Sequence, residues 1–252
     1  MNEEQTFLKC TLIERHQLTH DTFLFVLELP AKSWLRMRTC EHIQLRIPDS
    51  SSSSPDTEAV VSRFYTPVPN QLHDPNHKSL TVNQIHLAIK IYPQGRFSRL
   101  LNSIPVSGIV ETSEPITLSI NVDQILCTRQ KFFLLAAGTG ITPMMSLIWK
   151  LKSGRVTKEE PVSVRLLYFN KSIKDIIYQD KLNSLLSSQD RPRFSFELVN
   201  VLSEGGDSES GKKGRINKEL LREQILDQIG TETEKSFIFV CGPNGFVVSA
   251  VK

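Results

Sequence analysis

The stretch from Lys131 to Pro143 reads KFFLLAAGTGITP, and it decides the fold of the surrounding region. Lys131–Ala137 is continuously apolar after its first residue, which is typical of a strand buried on both faces of a parallel sheet. Gly138 and Gly140 follow at once, and glycine allows the backbone to turn tightly or to approach a ligand closely. The stretch therefore predicts a buried strand that ends in a tight turn.

A helix is predicted directly after this turn, over Met144–Leu151. Thr142 suits the N-cap position of that helix, and Pro143 suits its first turn. A strand, a glycine turn and a helix N-terminus in this order can hold a phosphate group. The spacing is Gly-x-Gly-x-x-Pro rather than Gly-x-Gly-x-x-Gly, so a purely structural strand-to-helix turn remains the alternative.

Strands and helices alternate through the rest of the C-terminal half. Short apolar runs predict strands, and longer segments with apolar residues three and four apart predict helices. This alternation is typical of a parallel sheet covered by helices on both faces. The further predicted elements are the strands Val162–Phe169, Phe194–Leu202 and Phe237–Cys241 and the helices Ile176–Leu186 and Lys218–Ile229.

The N-terminal half has a different pattern of predicted elements, with short strands and no long helix between them. Its clearest strand is His86–Tyr92, in which every second residue is apolar. Successive short strands with prolines at their ends predict an antiparallel β-barrel. The predicted fold class is an antiparallel β-barrel domain over residues 1–126 followed by an α/β parallel-sheet domain over 127–252. The other predicted strands are Phe7–Ile13, Thr22–Leu29 and His42–Ile47.

Composition excludes several kinds of protein. The chain has 252 residues, 39% hydrophobic and 23% charged, which is typical of a globular protein. It contains no apolar run long enough for a transmembrane segment, and its acidic start does not resemble a signal peptide. The four cysteines are scattered without a Cys-x-x-Cys pair, so we expect no metal site and no disulfide framework. Basic residues are not interleaved with aromatic ones, so we expect no nucleic-acid partner.

Two motifs lie in the N-terminal half, the first at the end of a further short strand and the second from the end of the strand His86–Tyr92 into the turn after it. In Arg63-Phe64-Tyr65-Thr66, arginine offers a forked donor for phosphate oxygens and tyrosine offers a ring beside a flat cofactor. In the segment from Lys90 to Ser98, Gly95 permits close backbone approach, and a short helix that begins at Arg96 can face a phosphate. Taken alone, the first motif could be an exposed strand face and the second a plain strand–turn–helix connection.

A fourth motif, Cys241-Gly242-Pro243, stands at the end of the last predicted strand. Ligands of open α/β sheets lie beyond the carboxyl ends of such strands. A thiol there could contact a ligand, but the sequence supplies no partner base that would make it a hydrolytic nucleophile. A buried, inert cysteine remains the alternative.

The four motifs in this order resemble the ferredoxin-reductase-like superfamily, and within it the NADH–cytochrome b5 reductase family. The resemblance extends from about Phe7 to Phe246 and implies an FAD-binding antiparallel barrel followed by an NADH-binding α/β domain. The residues that it assigns to FAD are Arg63, Phe64, Tyr65, Thr66, Lys90, Tyr92, Gly95, Arg96, Phe97 and Ser98, with Thr142 near the flavin. The residues that it assigns to NADH are Gly138, Thr139, Gly140, Pro143, Asp175, Cys241, Gly242 and Pro243.

The resemblance also implies roles for individual side chains. Thr66 or Thr142 would hydrogen-bond the flavin ring system, and Cys241 would contact the nicotinamide, so these three are the predicted catalytic residues. Asp175 falls where the family places an acidic residue near the adenosine ribose, which favours NADH over NADPH. The alternative for Asp175 is that it only caps the helix that follows.

Three features depart from the family pattern. Phe64 stands where the family usually has proline, and Ser113-Glu114-Pro115-Ile116 replaces a Gly-Pro-x-Gly loop. The chain ends at Lys252, soon after the fourth motif, where family members continue through a last helix and a closing segment. We therefore expect a form that is truncated at its C-terminus.

The predicted function is hydride transfer from NADH to FAD, followed by transfer of single electrons to cytochrome b5 or a similar haem protein. The acceptor should be a separate protein, because the chain has no haem-ligating pattern and no iron–sulfur cysteine set. Two alternatives stay open: a truncated, non-catalytic flavin-binding remnant, and a reductase for an oxygenase or an iron–sulfur partner. We expect a cytoplasmic monomer that associates with membranes only through a partner.

Overall fold

A computed structural model describes residues 6–49, 59–73, 83–154, 160–187, 193–204 and 211–252 of the chain. The chain divides into two compact units, Met1–Ser119 and Ile120–Lys252. The boundary expected from the sequence, between residues 126 and 127, falls inside a helix of the second unit, Val122–Thr128. Among the residues that the structure describes, no helix is long and apolar enough to cross a membrane.

The first unit is built from antiparallel strands. They are β1 (Phe7–Gln17), β2 (Thr22–Glu28), β3 (Ile43–Asp49), β4 (Ala59–Tyr65), β5 (Gln84–Lys90) and β6 (Ile109–Ser113), with the helix α1 (Arg96–Ser103) between β5 and β6. Within the described ranges they form a six-stranded sheet in the order β4-β3-β6-β1-β2-β5. The ladder between β2 and β5 runs from Thr22 opposite Lys90 to Glu28 opposite Gln84. This ladder places the start of β2 beside the end of β5.

Apolar side chains from these strands pack together as the core of the first unit. In β5, Ile85, Leu87 and Ile89 all point into that core, as the alternating pattern predicts. His86 and Ala88 lie between them and are buried as well. An isolated antiparallel bridge pairs Val68 with His86.

The second unit holds a parallel sheet. Its strands are β7 (Lys131–Ala137), β8 (Val162–Asn170), β9 (Phe194–Leu202), β10 (Lys212–Lys213) and β11 (Ser236–Cys241). They lie in the order β10-β9-β8-β7-β11 across the described residues. Ala136 of β7 pairs with Tyr168 of β8 on one side and with Cys241 of β11 on the other. The carboxyl ends of these three strands therefore lie side by side, and the predicted fold class is confirmed.

Helices accompany the parallel strands, and two of them differ from the sequence prediction. The helix expected over Ile176–Leu186 begins later, at Gln179, because Tyr178 has a φ of +64° and a short 3-10 turn precedes it. The helix expected over Lys218–Ile229 contains a π-helical segment, Arg222–Leu226. The helices are α2 (Val122–Thr128), α3 (Ile141–Lys152), α4 (Gln179–Ser187), α5 (Lys218–Leu221), α6 (Asp227–Ile229) and α7 (Asn244–Ala250).

Candidate cofactor-binding sites

The glycine turn of the second unit joins the end of β7 to the start of α3. Gly138 adopts a φ of +53°, in the left-handed region that glycine occupies without strain. Gly140 lies against the end of β11, because a Cβ added to it would stand 2.2 Å from the carbonyl oxygen of Cys241. Any side chain at position 140 would therefore force the turn away from the neighbouring strand.

Thr142 is not the N-cap of α3, and the sequence prediction was wrong on this point. The helix begins at Ile141 with Gly140 in the N-cap position, because the 3-10 turn Gly138–Gly140 runs directly into it. The Thr142 hydroxyl instead donates to the carbonyl oxygen of Thr139, at 3.2 Å. The Ile141 N–H donates to the carbonyl oxygens of Gly138 and Thr139, and Pro143 has no N–H. An anion such as a phosphate at this helix start would therefore meet the backbone N–H groups of the glycine turn itself.

Cys241 ends β11 beside the glycine turn. Burial raises the pKa of its thiol, and a hydrogen bond from the backbone of Gly242 offsets part of that rise. A thiol with a raised pKa stays protonated at neutral pH and is not an activated nucleophile. A Cβ added to Gly242 would come within 2.8 Å of Phe246 and 2.9 Å of Ala137. This strand end is shaped for close packing and not for covalent chemistry.

Tyr168, which the sequence analysis did not single out, lies fully buried in β8 next to the same turn. Its hydroxyl donates to the carbonyl oxygen of Gly138, at 3.1 Å. The Tyr168 hydroxyl oxygen also accepts the backbone N–H of Ile177, at 3.3 Å. The available signal was a hydroxyl-bearing residue inside an otherwise apolar strand, but periodicity cannot show which groups such a hydroxyl meets.

Asp175 ends the short 3-10 turn Ile173–Asp175 that follows β8, and it is buried. Its Oδ2 accepts the backbone N–H of Ser172 at 3.1 Å and the Ser172 hydroxyl at 2.8 Å. The carboxylate therefore caps this turn, which is close to the structural alternative left open by the sequence. Its expected contact with a ribose stays a prediction.

In the first unit, the Arg63–Thr66 motif lies at the end of β4 and just beyond it. The Arg63 side chain is exposed, and Phe64 is 59% exposed. The Phe64 ring meets the ring of His42 edge-on, with 5.5 Å between their centroids. His42 immediately precedes β3, and sequence reasoning did not select it because histidine there is unremarkable without its aromatic neighbour.

The inner side of this motif is formed by Tyr65. Its ring lies 5.7 Å from that of Phe97, centroid to centroid, in a tilted arrangement. Burial raises the pKa of Tyr65 to about 12, against a lowering effect of the Arg63 charge. Its hydroxyl therefore stays protonated and can donate a hydrogen bond. Thr66 follows at intermediate exposure.

The second motif of this unit begins with an ion pair. The Lys90 ammonium lies 2.7 Å from Oδ2 of Asp21, and both side chains are largely buried. Burial alone would raise the pKa of Asp21, but the hydrogen bond and charge of Lys90 outweigh that effect and lower it. Lys90 therefore links the end of β5 to the turn before β2.

The Gly95–Ser98 turn is organised by a buried hydroxyl. Ser98 Oγ accepts the backbone N–H of Tyr92 at 3.2 Å and donates to the carbonyl oxygen of Gly95 at 3.3 Å. A Cβ at Gly95 would approach that Oγ to 2.5 Å. Phe97 is buried in the core, whereas Arg96 and Tyr92 are exposed. Ser98 shapes the turn, and the neighbouring exposed side chains are the ones available to a ligand.

The residues of each unit fit the cofactor expected for it. At its two motifs the first unit presents the exposed aromatic rings of Phe64 and Tyr92 and the exposed guanidinium groups of Arg63 and Arg96, which suits a flat ring system joined to a pyrophosphate. The second unit presents an uncapped helix start next to a turn that excludes a side chain at Gly140, which suits the close approach of a dinucleotide pyrophosphate.

Comparison with known proteins agrees with this division. The oxidoreductase FAD-binding domain family matches residues 9–118, and the oxidoreductase NAD-binding domain family matches residues 134–252. Cytochrome b5 reductase 4 of Danio rerio is 33% identical over 251 residues, and the human protein of that name is 32% identical over 252 residues. The chain belongs to the FAD- and NAD-binding oxidoreductases and is similar to the cytochrome b5 reductases over 98% of its length. The resemblance read from the four motifs is thereby confirmed.

The chain spans less than half of the length of these two relatives. Both relatives match 98% of the chain, but the chain spans only 43% of the length of the Danio rerio protein and 44% of the human one. The solved CS-b5R domains of human Ncb5or in the NAD+ form align with a TM-score of 0.83 at 29% identity, covering 99% of this chain and 66% of that one. The cytochrome b5 reductase domain of Ulva prolifera nitrate reductase shares the fold, with a TM-score of 0.75 at 22% identity, covering 99% of this chain and 91% of that one.

Proposed function

We propose that this protein takes a hydride from NADH and passes the two electrons singly, through FAD, to cytochrome b5 or a similar haem protein. The names of the relatives, cytochrome b5 reductase 4, support the choice of acceptor. We further propose that it acts as a monomer in the cytoplasm. Both cofactors are the ones for which the two matched domains are named.

The observation that carries the proposal is the packing of the glycine turn against the end of β11. Gly140 lies so close to the Cys241 carbonyl that a side chain is excluded. In open α/β sheets a dinucleotide lies beyond the carboxyl ends of the strands with its pyrophosphate at a helix N-terminus. The second unit has this combination of strand end, glycine turn and uncapped helix start at one place.

On the flavin side, the protein would bind and orient. Bound FAD supplies the ability to accept two electrons together and to release them one at a time. Arg63 and Arg96 would neutralise its pyrophosphate, since a guanidinium forms forked hydrogen bonds to phosphate oxygens. Phe64 and Tyr92 would lie against its rings, while the protonated Tyr65 hydroxyl and Thr66 would donate hydrogen bonds to polar edges.

On the nicotinamide side, the protein needs no general acid, base or nucleophile. The Cys241 thiol is held neutral by burial, so its contribution would be to contact and orient the ring. The Thr142 hydroxyl donates its hydrogen bond to the Thr139 carbonyl, so toward a cofactor it would act as a hydrogen-bond acceptor. Gly138, Thr139 and Pro143 would complete the wall around the phosphates.

The decisive experiment is the visible spectrum of the purified, FAD-loaded protein before and after anaerobic addition of NADH. Loss of the flavin absorbance would support the reductase, whereas a flavin that stays oxidised would favour a non-catalytic flavin-binding protein. A protein that retains no flavin after gel filtration would contradict the proposal.

The acceptor is tested separately, by mixing the NADH-reduced protein with oxidised cytochrome b5 or with an oxidised [2Fe–2S] ferredoxin. Reduction of the haem in a stopped-flow experiment should be faster than reduction of the cluster by at least an order of magnitude. Faster reduction of the ferredoxin would instead identify an iron–sulfur protein as the partner.

A further inference from the structure

A single buried hydroxyl connects the two segments of the second unit that are expected to meet the dinucleotide. These segments are the glycine turn after β7 and the segment Ile173–Tyr178 after β8. Tyr168 lies in β8, and its neighbour across the ladder in β7 is Ala136, two residues before the turn. Its side chain therefore starts from the strand next to the turn and ends at the turn itself.

The hydroxyl uses both of its hydrogen-bonding capacities. It donates to the carbonyl oxygen of Gly138 at 3.1 Å and accepts from the N–H of Ile177 at 3.3 Å. A phenol can do both at once, whereas a backbone group can do only one. Tyr168 is 0% exposed, so bulk water cannot replace the hydroxyl at either partner.

The two partners lie at the points where the segments change direction. Gly138 has a φ of +53°, which turns its carbonyl out of the regular pattern of β7, and this carbonyl accepts the N–H of Ile141 as well as the Tyr168 hydroxyl. Ile177 follows the capped turn that ends at Asp175 and precedes Tyr178, which has a φ of +64°. Each segment departs from regular structure at the place where Tyr168 holds it.

On its other side, the glycine turn is positioned by close backbone contact with β11. Gly140 packs against the Cys241 carbonyl of β11, so the turn is limited on that side by backbone contact. Tyr168 limits it on the β8 side by a hydrogen bond. The turn is thus held between the two strands that flank β7.

We propose that the Tyr168 hydroxyl is a positioning group for the dinucleotide, which sets the glycine turn and the Ile173–Tyr178 segment at the spacing that the ADP half of NADH requires. This role rests on the proposed function. The hydroxyl itself would touch no cofactor atom, because it acts through the Gly138 carbonyl and the Ile177 N–H. Burial raises the pKa of Tyr168, so the group stays a neutral donor over the working pH range.

The proposal predicts a specific loss in Tyr168→Phe, which keeps the ring and removes only the hydroxyl. The Kd for ADP-ribose, measured by isothermal titration calorimetry on the FAD-loaded protein, should rise about tenfold, or about 1.4 kcal/mol. FAD occupancy should not change, because Tyr168 belongs to the second unit. With NADH as reductant, KM should rise by a similar factor while kcat changes less than threefold.

A stability-matched control separates positioning from general weakening. Ile225→Val removes one buried methylene from the core on the α5 and α6 side of the same unit, and it should lower the melting temperature without changing the Kd for ADP-ribose. The role of Tyr168 is overturned if Tyr168→Phe binds ADP-ribose within twofold of the unsubstituted protein, or if Ile225→Val weakens binding equally. Failure of the unsubstituted protein to bind ADP-ribose would instead contradict the proposed function, and the positioning role with it.

Discussion

Lys90 and Asp21 form an ion pair of 2.7 Å with side chains only 19% and 23% exposed. The pair joins the end of β5 to the turn before β2, where the backbone N–H of Ile91 also donates to the Asp21 carbonyl at 2.8 Å. Lys90 was expected from the sequence to contact FAD. In the structure its ammonium is held by Asp21, so it fixes the strand that leads into the Tyr92–Ser98 segment.

Breaking this pair should destabilise the first unit in a pH-dependent way. Asp21→Asn should lower the free energy of unfolding by about 1–3 kcal/mol at pH 7, because the Lys90 charge loses its partner in a largely buried position. The pKa of Asp21 is lowered in the folded state, so its contribution is complete above the unfolded value of about 3.9 and is lost as pH falls through the folded value. Urea unfolding at pH 7 and at pH 3 checks this: the difference between wild type and variant should shrink at the lower pH. A difference that is equal at both pH values would show that the carboxylate charge is not responsible.

Removing the Arg63 guanidinium should weaken FAD binding. Arg63 is exposed, so its contact with a phosphate would be worth about 1.5–3 kcal/mol, the range of hydrogen bonds to charged groups. Arg63→Ala should therefore lose flavin during extended dialysis, measured by the ratio of flavin to protein absorbance. Arg36→Ala removes another exposed arginine of the same unit and should retain its flavin. Equal retention by both variants would mean that Arg63 is not a flavin ligand.

A methyl group at position 140 should disrupt the glycine turn. In Gly140→Ala the new Cβ would stand 2.2 Å from the Cys241 carbonyl oxygen, and backbone on both sides would have to move. We expect binding of ADP-ribose to fall by at least tenfold, measured by calorimetry. Gly245→Ala is the matched control, because nothing lies within 4 Å of its added Cβ in α7, and alanine there should be neutral or slightly stabilising. Undiminished binding in Gly140→Ala would show that the turn is not a phosphate site.

The neutral state of the Cys241 thiol can be tested by alkylation. Burial raises its pKa, and the thiolate is the reactive form, so iodoacetamide at pH 8 should modify it slowly. Cys127, which is exposed on α2, is an internal reference in the same chain and should react first, as followed by peptide mass spectrometry. Cys241→Ser should slow reduction of the bound flavin by NADH while the flavin remains bound. Preferential labelling of Cys241 would contradict an inert positioning role.

The charge of Asp175 should decide between NADH and NADPH. A carboxylate a few ångströms from the 2′-phosphate of NADPH costs about 1–4 kcal/mol at a partly screened site. Asp175→Asn removes the charge and keeps an oxygen for the two hydrogen bonds from Ser172. The ratio of kcat/KM for NADH to that for NADPH should fall at least tenfold in this variant. Ser172→Ala weakens the cap and retains the charge, so it should leave this ratio unchanged. If the ratio falls equally in Ser172→Ala, Asp175 only caps the turn and does not select the cofactor.

Sequence patterns predicted an element correctly where the structure of that element depends on its own residues. The apolar run Lys131–Ala137 predicts β7 correctly, and the glycines after it predict the turn. The predicted start of α4, at Ile176, was wrong because Tyr178 takes a positive φ. Tertiary packing imposes this conformation on a residue type that rarely adopts it. The short strand β6 was not predicted at all, since it is set by its ladders with β1 and β3 and carries little pattern of its own.

In the candidate sites, too, the sequence predicted what depends on neighbours along the chain, and it did not predict contacts between residues that are distant in the chain. By itself the sequence determined the order of the two units, the family and the positions of the four motifs, because these depend on residue type and spacing along the chain. Only the tertiary structure decided that Lys90 binds Asp21, that Gly140 packs on Cys241 and that Tyr168 joins Gly138 to Ile177. The physical reason is that a hydrogen bond or a close backbone contact between segments depends on strand order and register, and these arise only when the whole unit packs.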